Sequence, residues 1–527
     1  MVKLEAHRGV STEYPENTIP SILAAIRQGY DMIELDVDVT RDSELVLMHD
    51  RMINRTARFD DGGELLSKIS VREIDYEELQ KFDFGIWFAK KFKGTRAPKV
   101  REVLEIAREH KIKIKIDNKY RTFEPHQRMK LYRLIGEFSD VATLTCYTIE
   151  DLKEAIENLP ESVEYHFDGF ITDENLEEVS KLLPKDRVTI WIPFKNKATD
   201  WVKVDFVNDS LAEKIKEHGK LGLWLLLHHT EYEEAKRLGA DIIETNGKLK
   251  PECANKITAD MHTHSEFSHD STEKIENTAK VEAANEVKIF AVTDHCDTFR
   301  YTERDIETPL REAKSEIERL RRECNTDVEI LHGVEIGEAF WTPNEVRERI
   351  NYLLPYDVIL GSVHLVYGYD GETTIALRDY GKMTDKEIFD YLDSYFNDIT
   401  TLLNTTDFDI LSHLTIPMKY IFGKYRRNID LSLFDEKIDY ILDYIIAHGI
   451  ALECNTSTIA STGEPSPSRD ILKRYFDKGG YLITLGSDAH TATAAAKDFD
   501  VAKKILRDIG FYNIFYYKER NTYFSEV

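Results

Sequence analysis

Two α/β barrels in tandem are the fold this sequence predicts, and three observations predict it. Short β-branched or apolar runs alternate with amphipathic charged segments throughout, the rhythm of parallel strands joined by helices. In each half the alternation persists over more than about 200 residues, which favours barrels over small doubly wound sheets. The 527 residues also suit two barrels of roughly 200–250 residues each.

In the first half the strand-like runs are Met32–Val39, Lys111–Ile116, Gly169–Thr172 and Ile242–Thr245, with amphipathic segments at Lys99–Glu109 and Ser210–His218. The second half has runs at Ile289–Thr293, Val358–Val363, Gly449–Glu453 and Tyr481–Leu485. Its helical segments are Thr272–Asn285, Arg311–Glu323 and Lys497–Ile509. The boundary falls near Lys248–Ile257, a stretch with a proline and several polar residues, so domains 1–252 and 257–527 are expected. The aromatic-rich tail Phe511–Phe524 reads as a closing strand or a packing arm, which leaves association into a homo-oligomer open.

The formal net charge of −26 argues against a general nucleic-acid binder, which needs basic surface to replace phosphate counterions. A small anionic substrate stays open, because bound cations reverse the local field. No apolar stretch is long enough to span a bilayer, and the start, MVKLEAHRGV, has no signal-peptide core. The five cysteines, Cys146, Cys253, Cys296, Cys324 and Cys454, are scattered and lack a CxxC pair. A reduced compartment, by default the cytoplasm, is expected.

The second half presents nine candidate metal ligands in order, mostly where apolar runs end: His262, His264, His269, His295, Glu335, His364, His413, Asp488 and His490. Strand period places His262 and His264 on one face, and the same holds for Asp488 and His490. Nine ligands exceed the usual four of a single zinc ion. A cluster of ions sharing ligands is the natural reading, and such clusters serve phosphate-ester hydrolysis. This series resembles the polymerase-and-histidinol-phosphatase (PHP) family, and Glu453-Cys-Asn455-Thr456-Ser457 is similar to the E-x-N-T-S segment of its histidinol-phosphatase-type branch. The resemblance covers about Ile257 to Phe511. It implies a distorted (β/α)7 barrel holding three divalent metals, zinc, iron or manganese. His262, His264, Glu335 and Asp488 would bind one. Glu335, His364 and His413 would bind a second, and His269, His295 and His490 the third.

The first half carries His7-Arg8-Gly9, Pro15-Glu16-Asn17-Thr18, Glu34-Leu-Asp36 and His49-Asp50. Glu34 and Asp36 lie two apart on one strand face, a pair of hard oxygens suited to calcium or magnesium. Two histidines beside a carboxylate-held cation can serve as general acid and base, and Arg8 can fork onto a phosphate. These segments resemble the glycerophosphodiester phosphodiesterase family, over about residues 2–251. The resemblance implies a TIM (β/α)8 barrel with a small insertion at about 50–97 and one calcium or magnesium ion. His7 and His49 would be catalytic, Glu34, Asp36 and Asp117 would bind the metal, and Arg8 and Lys119 the substrate phosphate. Asp117 stands where the family has glutamate, which shortens that ligand by one methylene.

The expected function is a bifunctional metal-dependent phosphoesterase acting on small phosphorylated substrates. The first barrel would hydrolyse phosphodiesters and the PHP domain phosphate monoesters. The alternative keeps catalysis in the PHP domain alone and makes the first barrel a binding or scaffold module.

Overall fold

In a computed structural model, which describes residues 2–252, 256–323 and 328–527, the chain divides into two compact units, Met1–Glu252 and Cys253–Val527. Cys253 and Cys324 lie outside the described residues, as do residues 253–255 of the expected boundary stretch. Cys146, Cys296 and Cys454 are buried free thiols. Among the described residues no helix is long and apolar enough to cross a membrane.

The first unit is a closed barrel of eight parallel strands in sequence order: Lys3–His7, Met32–Leu35, Lys113–Ile116, Ala142–Cys146, Tyr165–Phe167, Val188–Pro193, Lys220–Trp224 and Ile242–Thr245. Two expected strands come out differently. The run Met32–Val39 breaks at Asp36, and Val37–Val39 leaves the barrel to pair antiparallel with Leu45–Leu47. The break follows from Asp36 itself, whose backbone N–H donates to Asn17 and whose buried carboxylate is claimed by Arg8 and Lys119. The fifth strand is Tyr165–Phe167 rather than Gly169–Thr172. There the chain turns so tightly that a Cβ on Gly169 would lie 2.1 Å from the Tyr147 carbonyl oxygen. Between the Leu45–Leu47 strand and the helix Val100–His110, short helical turns surround a small core of their own, including Met48, Ile53, Leu79, Phe84 and Ala97.

Alternation along Lys113–Ile116 sends Ile114 and Ile116 outward to the helices and Lys115 into the barrel. Its Nζ lies 2.6 Å from both Glu5 and Glu244, and 3.8 Å above the centre of the Trp191 ring. Gly222 makes room for that indole, since a Cβ there would come within 2.5 Å of it.

Seven parallel strands form the second unit: Thr258–Thr263, Val287–Val292, Glu329–Gly337, Val358–Ser362, Ile410–Leu411, Ala451–Asn455 and Ile483–Gly486. A short strand, His295–Asp297, pairs with the far half of Glu329–Gly337. The sheet's two edges meet where the Asp488 N–H donates to His262 O (2.8 Å) and the His264 N–H to Ala489 O (2.9 Å). This is a distorted (β/α)7 barrel. The tail is an antiparallel hairpin of Asn513–Lys518 and Asn521–Glu526. Phe515, Tyr517 and Phe524 share an apolar cluster with Ala259, Ile289, Leu331 and Val358, which come from the early parts of the strands, so the hairpin floors the barrel. Arg520 at its turn clamps Asp407 (3.0 Å) and Asp409 (2.9 Å).

Replacing Lys115 by Met would strand Glu5 and Glu244 in the barrel without a counter-ion. Removing one partner of a buried ion pair costs about 3–5 kcal/mol, and urea unfolding followed by tryptophan fluorescence should show that loss in the first barrel. A loss under about 1 kcal/mol, the worth of an exposed pair, would refute the assignment of a structural role to the triad.

Candidate functional site

Eight of the nine sequence-predicted ligands of the second unit lie within a few residues of a strand end, and His269 lies further out, in the loop after Thr258–Thr263. His262 and His264 stand side by side with their Nε2 atoms 3.1 Å apart. Beneath them Asp260 accepts hydrogen bonds from the backbone N–H groups of His262 and Ser487, and this stitches the first strand to the last. Glu335 is central. Its Oε1 lies 2.9 Å from His413 Nε2 and 3.2 Å from His364 Nε2, while its Oε2 lies 3.0 Å from His295 Nδ1 and 3.3 Å from His262 Nε2. Asp488 Oδ1 sits 3.3 Å from His264 Nε2. Asp488 holds a positive φ of 51°, as do Arg8 (58°) and Asn17 (55°) in the first unit. Non-glycine residues adopt that region rarely, and such residues cluster at functional sites.

The ligand atoms gather into four overlapping groups, each within 4.8 Å: His262, His264 and Asp488; His262, Glu335 and His413; His264, Asp270, His295 and His490; and His295, Asp297 and His364. This donor set fits divalent cations. Imidazole Nε2 atoms face each other at 3.1 Å and, for His364 and His413, at 3.3 Å. Buried atoms including Glu335 Oε2, Asp297 Oδ1 and His413 Nδ1 have no hydrogen-bond partner. Burial pushes the Glu335 carboxyl up, but the imidazoles of His262, His364 and His295 outweigh it and hold the group well below the usual range. Asp488 is likewise held down against burial by His262 and His264. Both carboxylates are therefore in the ionised form that ligation requires.

One expected ligand is displaced. His269 joins none of the groups; its ring is 45% exposed and turns toward Asp297 at 3.8 Å. Its neighbour Asp270 lies within one of the groups, with Oδ2 3.0 Å from His490 Nε2 and 3.3 Å from His295 Nε2. The turn in which the Ser268 N–H bonds to Ser265 O, and the Ser268 hydroxyl to Asp270 Oδ1 (3.1 Å), sets that direction. Residue type favoured the histidine, and only the turn geometry selects the aspartate.

Lys419 also escaped the sequence reading. It opens a π-helical turn, Lys419–Lys424, a rare geometry that recurs at functional sites. Its Nζ lies 3.1 Å from Ser457 Oγ, which in turn donates to Asp488 Oδ2 at 3.3 Å. By contrast, Arg426 and Arg427 donate to backbone carbonyls of Ser461, Tyr380 and Met383. His332 is buried and stacked on Tyr356.

In the first unit strand register places His7 beside Glu34, with Nε2 3.8 Å from the carboxylate. Asp36 is held by Arg8 Nε (3.0 Å), Lys119 Nζ (2.6 Å) and the Asn17 amide (2.9 Å). Glu16 joins Arg8 (3.2 Å) to Arg55 (2.7 Å). Arg55 holds Asp50, and Asp50 accepts from His49 Nδ1 at 2.6 Å, which leaves Nε2 of His49 available. Glu34 and Asp117 form no ion pair with lysine or arginine among the described residues. Burial first, then neighbouring carboxylates, pushes both groups up. Two such carboxyls fit a hard cation. The groups of three ligand atoms within 4.8 Å all fall in the second unit, however, so Glu34, Asp36 and Asp117 do not converge to that distance among the described residues. The reading also passed over Asp168, just beyond the fifth strand, whose carboxyl burial pushes up to about 7.

Comparison with known proteins accords with this division. Residues 7–157 match the glycerophosphoryl diester phosphodiesterase family and residues 260–457 match the PHP domain. The first half is 34% identical over 160 residues to the glycerophosphodiester phosphodiesterase of Caldanaerobacter subterraneus, covering 29% of this chain and 63% of that protein. The second half is 28% identical over 272 residues to the "Probable histidinol-phosphatase" of Clostridium acetobutylicum, covering 50% of this chain and 98% of that protein. A solved structure similar to the second half is the Lactococcus lactis histidinol phosphate phosphatase complexed with zinc, L-histidinol and phosphate. It is 23% identical, with a TM-score of 0.41, over 50% of this chain and 98% of that one. The chain thus carries two domains of phosphoric-ester hydrolase type, a glycerophosphodiester phosphodiesterase-like barrel followed by a PHP domain.

Asp270→Ala should lower the metal bound per chain in the second unit, whereas His269→Ala should leave it unchanged. Elemental analysis after gel filtration distinguishes the two, and the reverse pattern would restore His269 as the ligand.

Proposed function

We propose that the chain is a bifunctional metal-dependent phosphoesterase, a phosphodiesterase in its first barrel and a phosphomonoesterase in its PHP domain. The observation that carries this reading is the convergence of His262, His264, Asp270, His295, Glu335, His364, His413, Asp488 and His490 at one end of one barrel. In the PHP domain, His262, His264, Glu335 and Asp488 would hold one divalent ion, Glu335, His364 and His413 a second, and Asp270, His295 and His490 a third. Zinc, iron or manganese suits these nitrogen and oxygen donors. Bound ions of this kind supply a nucleophilic hydroxide and neutralise phosphoryl oxygens. Lys419 is placed to draw a substrate phosphate toward Asp488, and Ser457 orients its ammonium group.

In the first barrel Glu34 and Asp117 would hold a calcium or magnesium ion, with Asp36 beside them. Burial lowers the His7 pKa, so its imidazole is neutral near pH 7 and can accept a proton from the attacking water. His49, oriented by Asp50, can give a proton to the leaving oxygen, a division of labour that general acid–base catalysis requires. Arg8 and Lys119 supply positive charge for the diester phosphate. The monoester released by such a reaction belongs to the substrate class of the second domain, so the two sites would act in sequence.

The test is release of inorganic phosphate from glycerophosphocholine, glycerol 3-phosphate and histidinol phosphate by metal-loaded protein, with His7→Ala and His262→Ala alongside. Release from the diester should vanish in either variant, and glycerol 3-phosphate turnover should vanish only in His262→Ala. Monoester turnover indifferent to His7→Ala, with an inert diester, would leave the PHP domain as the sole enzyme. Phosphate release in the second domain should also fall in acid, because protons compete with metal for the ligand imidazoles. A rate that rose as pH dropped below 6 would contradict metal ligation by histidine.

A further inference from the structure

The strand Ala451–Asn455 and the turn after it contribute no ligand to any of the four groups, yet they touch three ligands. Glu453 is 1% exposed. Its Oε1 accepts from His262 Nδ1 at 2.7 Å, and its Oε2 accepts from the His413 backbone N–H at 2.6 Å and from the Asn455 amide at 3.1 Å. Asn455 Oδ1 in turn accepts from the Ser457 N–H at 3.0 Å, and Ser457 Oγ reaches Asp488 at 3.3 Å. The opposing wall is Gly486, where a Cβ would fall 1.9 Å from Glu453 Oε1 and 2.8 Å from His262 Cβ. The carboxylate therefore has one place to be.

We infer that Glu453 is a positioning residue for the metal centre, fixing the tautomer of His262 and the backbone of His413 with a single carboxylate. The inference rests on the reading of the second domain as metal-binding. With Nδ1–H given to Glu453, the lone pair of His262 lies on Nε2, the atom that faces His264, Glu335 and Asp488. The other oxygen sets where the His413 ring starts from. His262 and His413 share a group with Glu335, but in the assignment proposed above they serve different ions, so one side chain would set the spacing between two ion positions. Carboxylates behind ligand imidazoles act this way in metal sites generally. Here the oxygens receive three N–H donors. A glutamine has only one oxygen, so Glu453→Gln must turn its own N–H2 against either His262 Nδ1–H or the His413 and Asn455 N–H groups.

The experiment titrates metal-free full-length protein with Co2+, followed by visible absorbance, for wild type, Glu453→Gln, Asn455→Ala and His262→Gln/Glu453→Gln. Circular dichroism and Tm of the metal-free proteins serve as controls of folding. Glu453→Gln should weaken binding roughly 10–100-fold, as loss of such outer partners does, and should alter the absorbance of the remaining ions. Asn455→Ala, which removes the amide that steadies Glu453 and the oxygen that holds the Ser457 N–H, should weaken binding in the same direction by less. Once His262 is gone, adding Glu453→Gln should cost less than it does alone, which a merely structural role would not produce. A folded Glu453→Gln that binds Co2+ like wild type would overturn the inference. Were that variant unfolded, wild-type binding by Asn455→Ala would do the same. Wild-type protein that takes up no Co2+ would instead overturn the metal-centre reading, and this inference with it.

Discussion

Carboxylates buried without a basic side chain to neutralise them are the constraint that organises both domains. Taking a carboxylate out of water is tolerable only when a positive charge replaces the lost hydration. In the second barrel the ion-pair partners of Glu335 among the described residues are all histidines. Those imidazoles turn lone pairs toward one another as well as toward the carboxylate. Divalent cations among these atoms would accept the lone pairs of imidazole and carboxylate alike. The parallel barrel makes such a concentration achievable, because every strand delivers its last residues to the same rim.

The first barrel meets the same constraint by two means. Deep inside, Lys115 pairs with both Glu5 and Glu244, and burial pushes the Glu5 carboxyl up toward its neutral form, so one positive charge faces one carboxylate. At the rim, Arg8 and Lys119 hold Asp36, while Glu34 and Asp117 have no such partner among the described residues. The rim is thus half neutralised by protein and half left for a cation. The lysine and arginine proposed to grip a phosphate also hold Asp36, so a phosphate and a metal ion would draw on the same side chains.

Much of this was legible in the sequence, since alternating apolar runs marked most barrel strands and polar residues at their ends marked the sites. What stayed hidden was three-dimensional direction. His269 and Asp270 are adjacent, and only the Ser265–Ser268 turn decides which one faces the rim. The run Met32–Val39 looks like one strand because nothing local announces that Asp36 will be gripped by Lys119, far along the chain. Lys115 sits in an alternating Lys-Ile run that reads as a half-solvated strand, yet barrel closure turns that face inward. Glu453 could be noted as part of a motif, but its tie to His262 spans nearly two hundred residues and appears in no pattern of spacing.

The hairpin that floors the second barrel bears on how the centre is made during translation. His262 and His264 leave the ribosome early, whereas Asp488, His490 and the hairpin itself emerge only after nearly all the rest of the domain. Until then the first strand has no partner at its open edge, and the barrel's lower interior faces water. Contacts of such long sequence separation form late. The first domain, complete by then, can fold on its own schedule. A metal ion would then meet a second barrel already closed, and the supply of ions would govern how many second domains become competent without touching the folding of the first.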